Sequence, residues 1–297
     1  MNQYFENFAY ELTKPSKHHD GPITIPEPVD PDLHHPEKIT KMGKTVLWVV
    51  AGIMTLGFIT FVAHSQRIAY RFRTIPVITA MINVTAAISY LAMATGLGGA
   101  LTNERHDSRY SAKREVLVPR YIDWLITTPL LILDITLLAG MPLGEILIAI
   151  FADVTMIITG LIAGLHPDVR ARWIFFAISV ASMFYVFYTL VGSGRSYSYL
   201  RSQKVGSLYN QVSLALLVVW SLYAVTFVLG EGAGYVSADT EVLLFAVLDV
   251  IAKPLWGAVV VFAVPEEGHV LLPESLASPL GGGYTALSQG DERREDA

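Results

Sequence analysis

VLLFAVLDVIAKPLWGAVVVFAV, residues 242–264, carries only two ionisable groups, Asp249 and Lys253. The stretch is long enough to cross a bilayer as a helix, which takes about 20 apolar residues. An ammonium at that depth costs on the order of 2.5–3.5 kcal/mol even on the lenient insertion scale. Something must offset that cost. Asp249 and Lys253 stand at i and i+4, so they share a helix face, and helical side chains lean toward the N-terminus, which brings the amine back to the carboxylate. A lysine buried beside a carboxylate is an ion pair, a proton relay or the amine of a Schiff base. The rest of the chain decides among these.

The chain has 297 residues, of which 53% are hydrophobic and 16% charged, with a mean hydropathy of +0.46. A soluble domain carries about a quarter charged residues. Apolar segments at 45–65, 75–99, 118–139, 144–165, 173–192, 207–230 and 240–263 are each long enough to span a membrane. Polar or Gly/Pro breaks at 66–73, 103–115, 140–142, 166–172, 192–204 and 230–238 separate them. The pattern predicts an all-α membrane protein, a seven-transmembrane-helix bundle, because strands with a lipid-exposed edge are not viable in hydrocarbon. Short connectors make consecutive helices antiparallel neighbours, and seven spans put the termini on opposite sides. Residues 1–43 are polar, with Pro22, Pro26, Pro28, Pro31 and Pro36, and read as a disordered tail; 44–264 form the bundle; 265–297 form a solvated C-terminal tail.

A net charge of −5 gives no reason to expect a nucleic-acid partner. The absence of cysteine excludes disulfides, thiol catalysis and thiolate-bound metals. His18, His19, His34 and His35 lie in the tail and read as solvated, so no metal site is expected. Basic residues in the loops do not orient the bundle. Arg67, Arg71, Arg73, Arg195, Arg201 and Lys204 on one side balance Arg105, Arg109, Lys113, Arg114, Arg170 and Arg172 on the other.

The third span opens Arg120-Tyr121-Ile122-Asp123-Trp124-Leu125-Ile126-Thr127-Thr128-Pro129 and then runs apolar to Asp134. The spacing puts Arg120, Asp123, Thr127 and Asp134 on one stripe. Asp123 and Asp134 are separated by about 16 Å of helical rise. Two carboxylates half a membrane apart on one face have the layout of a proton path, and such residues normally face the bundle interior. A structural ion pair would account for Asp249 and Lys253 alone, but not for this second set. Tyr90, Trp124, Trp220 and Tyr223 are ordinary core aromatics taken singly; together they can wall a slot for a flat conjugated ligand.

These motifs, with Leu-Asp249-x-x-Ala-Lys253, Trp220-Ser-x-Tyr223 and Gly230-Glu231-Gly-Ala-Gly, resemble the microbial (type 1) rhodopsins across all seven spans, and their fungal branch in particular. The resemblance implies all-trans retinal bound covalently to Lys253 as a protonated Schiff base. It makes Asp123 the counter-ion and proton acceptor, Asp249 a second counter-ion and Arg120 a group just outside them that tunes both. Thr127 would bond the acceptor. Asp134 would be the proton donor with Thr79 as its partner, and Glu231 with Glu241 the outer release pair. Tyr90 and Tyr223 would bond Asp249, and Trp124 and Trp220 would sandwich the polyene. Thr128, Leu131, Met156, Gly160, Phe176, Ser179, Met183 and Phe227 would complete the pocket. Asp153 would be a structural carboxyl near its far end, and Leu131 suggests green absorption.

The implied function is a light-driven outward proton pump rather than an enzyme. Its partners would be protons, internal waters and the lipid bilayer, with a homo-oligomer allowed. Its location would be the plasma membrane, N-terminus extracellular. Asp123 argues against a chloride pump, which would carry a neutral residue there. Asp123 and Asp134 together argue against a sodium pump, which would carry Asn and Gln. A light-gated channel would carry glutamates along span two, which has none. A slow-cycling sensory photoreceptor of the same fold shares the acceptor and donor, and stays as the alternative. A retinal-free bundle with a structural Lys–Asp pair is the bland one. The chain departs from the family at Ala224, where proline is usual, at Phe227, where tryptophan is common, and at Pro254. Pro254 cannot donate to the carbonyl of Val250, which predicts a distorted helix there.

Overall fold

The computed structural model describes residues 36–69, 72–102 and 114–264. Seven helices are long and apolar enough to cross a membrane: α1 Lys41–Arg67, α2 Thr74–Ala94, α3 Val118–Ala139, α4 Leu143–Leu165, α5 Val169–Arg201, α6 Gln203–Gly232 and α7 Ala238–Phe262. Side chains mark most of the starts. Thr40 accepts from the Met42 N–H, Asp168 from Ala171, Ser202 from Val205 and Ser237 from Thr240, each satisfying a donor that has no partner within the first turn. Gly140, at φ 74°, ends α3 in the left-handed conformation that glycine adopts without strain, and Pro142 turns the chain into α4. Large apolar side chains such as Trp48, Leu56, Phe151 and Phe184 cover the outside, as a lipid-facing surface requires. In the central window of α2, α3 and α7, 61% of residues are buried, against 28% in α1 and α5. The inner helices thus include α3 and α7, which carry Asp123, Asp134, Asp249 and Lys253.

Several boundaries differ from the sequence reading. α1 starts at Lys41, and residues 36–40 ahead of it are tied down. The Glu37 carboxylate accepts from the Ala238 N–H at 2.8 Å, and the Ile39 N–H reaches Glu115 at 3.2 Å. Residues 1–35 and 265–297, the remainder of both expected tails, lie outside the described residues. α2 stops at Ala94, five residues early, and the chain enters a short antiparallel hairpin, β1 Gly99–Leu101 with β2 Glu115–Leu117, in the register Gly99–Leu117, Ala100–Val116 and Leu101–Glu115. α5 continues to Arg201 through a π turn at Leu190–Gly194, where the Tyr209 hydroxyl donates to the Leu190 carbonyl at 2.8 Å. Around Pro254, α7 widens into a π turn, Ile251–Leu255, in which the Trp256 N–H reaches back to Ile251 O. That is the local distortion the missing proline donor predicts.

Candidate functional site

Lys253 is 2% exposed and sits on the π turn of α7. Its Nζ contacts Asp123 Oδ2 from α3 and lies 2.9 Å from Asp249 Oδ1. The two carboxylates are not equivalent. Asp249 also accepts from the Tyr90 hydroxyl at 2.6 Å, the Tyr223 hydroxyl at 2.6 Å and the Trp124 indole N–H at 3.4 Å. Asp123 Oδ1 has no hydrogen-bond partner. A buried cation flanked by two carboxylates is tolerable only because opposite charge and donors replace the lost water. Thr127 meets Asp123 differently from the expectation. Its hydroxyl donates to the Asp123 main-chain carbonyl at 2.9 Å, the i−4 bond that a helical threonine forms with its own backbone, and not to the carboxylate.

Lys253 and Asp249 line a cavity between the helices, a concave and mostly apolar space of the kind that small molecules occupy. Trp124, Thr128 and Leu131 of α3, Met156 and Gly160 of α4, Phe176, Ser179 and Met183 of α5, and Trp220, Tyr223 and Phe227 of α6 line it as expected. Tyr121, Ile157, Val180, Ala224, Phe245 and Ala252 line it too. Tyr121, Ile157, Val180, Phe245 and Ala252 carry no signal in the sequence beyond apolar helical periodicity. Tyr90 was expected in the pocket set and is not part of the lining; from α2 it reaches only the back of the site, through Asp249. Phe227 stacks on Phe176 with centroids 4.9 Å apart and planes 7° from parallel, so phenyl rings close the wall where the family commonly has tryptophan.

Toward the end of α3 remote from the hairpin, Asp134 is fully buried, and its Oδ2 lies 2.9 Å from Thr79 Oγ1 of α2. The same hydroxyl lies 2.9 Å from the Ile75 carbonyl. One hydroxyl hydrogen serves both acceptors fully only if Asp134 brings a proton of its own. Asp153 stands in the same relation to Thr128, 2.7 Å away, whose hydroxyl also bonds the Trp124 carbonyl at 2.8 Å.

The hairpin end is dense in charge. Arg120 pairs with Glu241 at 3.2 Å and Glu231 at 3.5 Å, and its guanidinium lies 4.4 Å from the Phe245 ring centroid. It is turned outward to the glutamates, and its ion pairs do not include Asp123 or Asp249. Tyr121 hydrogen-bonds Glu231. Arg114, 3% exposed at the start of the second strand, bonds Glu241 at 2.8 Å, Glu37 at 2.9 Å and the Val236 carbonyl at 3.0 Å. Sequence reasoning missed Glu37 and Arg114 as a pair, since they are 77 residues apart and lie in segments that read as loop and tail.

A seven-helix membrane bundle whose buried, aromatic-walled cavity ends on a carboxylate-flanked lysine is a rhodopsin-type architecture. The profile of the bacteriorhodopsin-like protein family matches residues 41–266, and the chain belongs to that family. It is 34% identical to the opsin-like protein carO of Fusarium fujikuroi over 79% of this chain and 78% of that protein. Among solved structures it is similar to the light-driven proton pump LR (Mac) from Leptosphaeria maculans, at 36% identity and a TM-score of 0.74, covering 77% of this chain and 98% of that one. It is also similar to halorhodopsin, a light-driven chloride pump, at 26% identity and a TM-score of 0.74 over 79% of this chain and 100% of that one. The fold therefore does not choose the ion. Membership implies a retinal chromophore. The lining fits such a group: it contains the Lys253 amine, flat aromatic side chains and few polar atoms.

Proposed function

We propose that the protein is a light-driven outward proton pump of the plasma membrane, with its N-terminus extracellular and all-trans retinal bound covalently through Lys253. The observation that carries this reading is the arrangement on α3, where Asp123 touches the Lys253 amine and Asp134 lies about 16 Å along the same helix face. When bound, retinal supplies light-driven isomerisation that turns the Lys253 nitrogen and loosens its proton. Asp249 already holds three donors besides that nitrogen, whereas Asp123 has an oxygen with none, so Asp123 has the capacity to take the proton. Neutralising Asp123 then changes the field on Arg120, whose partners are Glu231 and Glu241, and a proton passes outward through that cluster. Asp134, buried among apolar side chains and bonded to Thr79, returns a proton to the Lys253 nitrogen and refills from the other side. Trp124, Trp220 and the phenylalanines exclude bulk water, so the proton has to use these groups.

The slow-cycling sensor uses the same residues. Cells making the protein and supplied with retinal decide between the two. A pump acidifies the medium on illumination, and a protonophore abolishes the change. A cycle lasting seconds with no change in pH would replace the pump reading with the sensor. Unmodified Lys253 in the mass spectrum of pigmented protein would end both.

A further inference from the structure

Asn83 of α2 has no part in the scheme above, yet it is fully buried in a membrane-spanning helix. Its Nδ2 donates to the Thr79 carbonyl at 2.8 Å, while its Oδ1 has no partner. A buried amide oxygen left unpaired costs about 1–3 kcal/mol, so its retention calls for an explanation. Position supplies one. Asn83 is four residues after Thr79, which meets Asp134, and seven before Tyr90, which meets Asp249. These spacings place all three on one stripe of α2, with Asn83 at a height between Asp134 and Lys253.

The neighbouring helix makes room for the amide. A Cβ on Gly57 of α1 would fall 2.5 Å from Asn83 Oδ1 and 3.3 Å from Pro254 Cβ. The oxygen and the π turn that carries Lys253 therefore flank the same spot on α1. Asp134 Oδ1 is likewise an unpartnered buried acceptor. Water, with two hydrogens, is the donor that buried acceptors of this kind take up.

Resting on the proton-transfer reading above, we infer that Asn83 is a positioning residue for the reload step: its amide oxygen holds a water molecule in the path from Asp134 to the Lys253 nitrogen. In that step the Asp134 O–H bond breaks, a water relays the proton, and an N–H bond forms on Lys253. Asp134 is left as a carboxylate until it draws a proton from the far side. Asn83 itself neither gains nor loses one.

The test is time-resolved infrared and visible spectroscopy on the full chain, loaded with retinal in lipid vesicles, comparing Asn83→Leu and Asn83→Ser with the unaltered protein. In Asn83→Leu the Asp134 carboxyl band is lost about tenfold later, short of the 10²–10⁴ that a removed acid or base commands. Asp123 protonation keeps its time, and the resting colour is unchanged. Asn83→Ser, which restores an oxygen, recovers most of the rate. A purely structural role would instead move the resting absorption and both phases together. The resting Asp134 carboxyl frequency is a second readout, independent of turnover, and shifts in Asn83→Leu when the bridging water goes. If Asn83→Leu binds no retinal, Asn83→Ala carries the same comparison. Asp134 losing its proton on time in the apolar variant, with its resting band unmoved, would overturn the inference and leave the pump reading intact. Failure of Asp123 to gain a proton in the unaltered protein would overturn that reading itself.

Discussion

At the hairpin end of the bundle, Glu37, Arg114, Arg120, Glu231 and Glu241 share one network of ion pairs, every link 3.5 Å or shorter. At the other end of the same path, Asp134 meets a single hydroxyl among leucines and isoleucines. The difference is one of capacity. A network with several carboxylates and two guanidiniums can place a proton in several ways. A lone neutral carboxyl can only give up the one it holds, at the cost of a charge in hydrocarbon. On the proposed reading, the asymmetry would make release easy and reload slow.

Asp123→Asn removes the proposed proton acceptor. We expect it to abolish light-driven pH change altogether and to shift absorption to the red, because the Lys253 cation loses a carboxylate; vesicle pH recordings and a spectrum check both. Asp134→Asn removes the lone group of the sparse end. Reload of the Lys253 nitrogen should slow by about 10³-fold with the resting colour nearly unchanged, and flash spectroscopy at neutral pH that found the rate intact would dissolve the contrast. Arg114→Gln probes whether the crowded end is a network or a set of independent pairs. Glu241 would keep only Arg120, and the loss should be about 3 kcal/mol, the low end for breaking a buried pair because Glu37 is partly exposed. The temperature at which colour is lost measures it. The smallest effect belongs to Thr127→Val: because the hydroxyl serves the backbone, stability should fall by no more than about 1 kcal/mol and acceptor protonation should keep its rate within a few-fold.

What the sequence made legible follows the strength of the local signal. Uninterrupted apolar runs and isolated charges inside them revealed the seven helices, and the stripe spacing on α3 and α7 brought Asp123, Asp134, Asp249 and Lys253 to notice. Gly192-Ser193-Gly194 reads as the end of a helix, but Tyr209 from α6 holds the Leu190 carbonyl and the helix continues. The hairpin strands are three residues each, too short for any alternation to show. Spacing put Arg120 on the stripe of Asp123 but could not show its partners, because Glu231 and Glu241 come from other helices. Asn83 was readable in principle by the same reasoning that singled out Asp134, a polar side chain in an apolar span, but an uncharged amide stands out less.

The near-contact between Gly57 and Asn83 bears on any attempt to make this pigment more heat-resistant. Replacing helical glycine with alanine is a standard route, usually gaining about 0.5–1 kcal/mol. At Gly57 the added methyl would strike the amide oxygen, and at Gly257 it would lie 2.5 Å from the Thr79 methyl, so either change would wedge α2 away from its neighbour. Gly52, one and a half turns earlier on α1, has nothing within 4 Å of the same substitution. Rigidity can be added on the lipid-facing side of that helix, whereas its inward face has already been whittled to the minimum that lets three backbones close around the path.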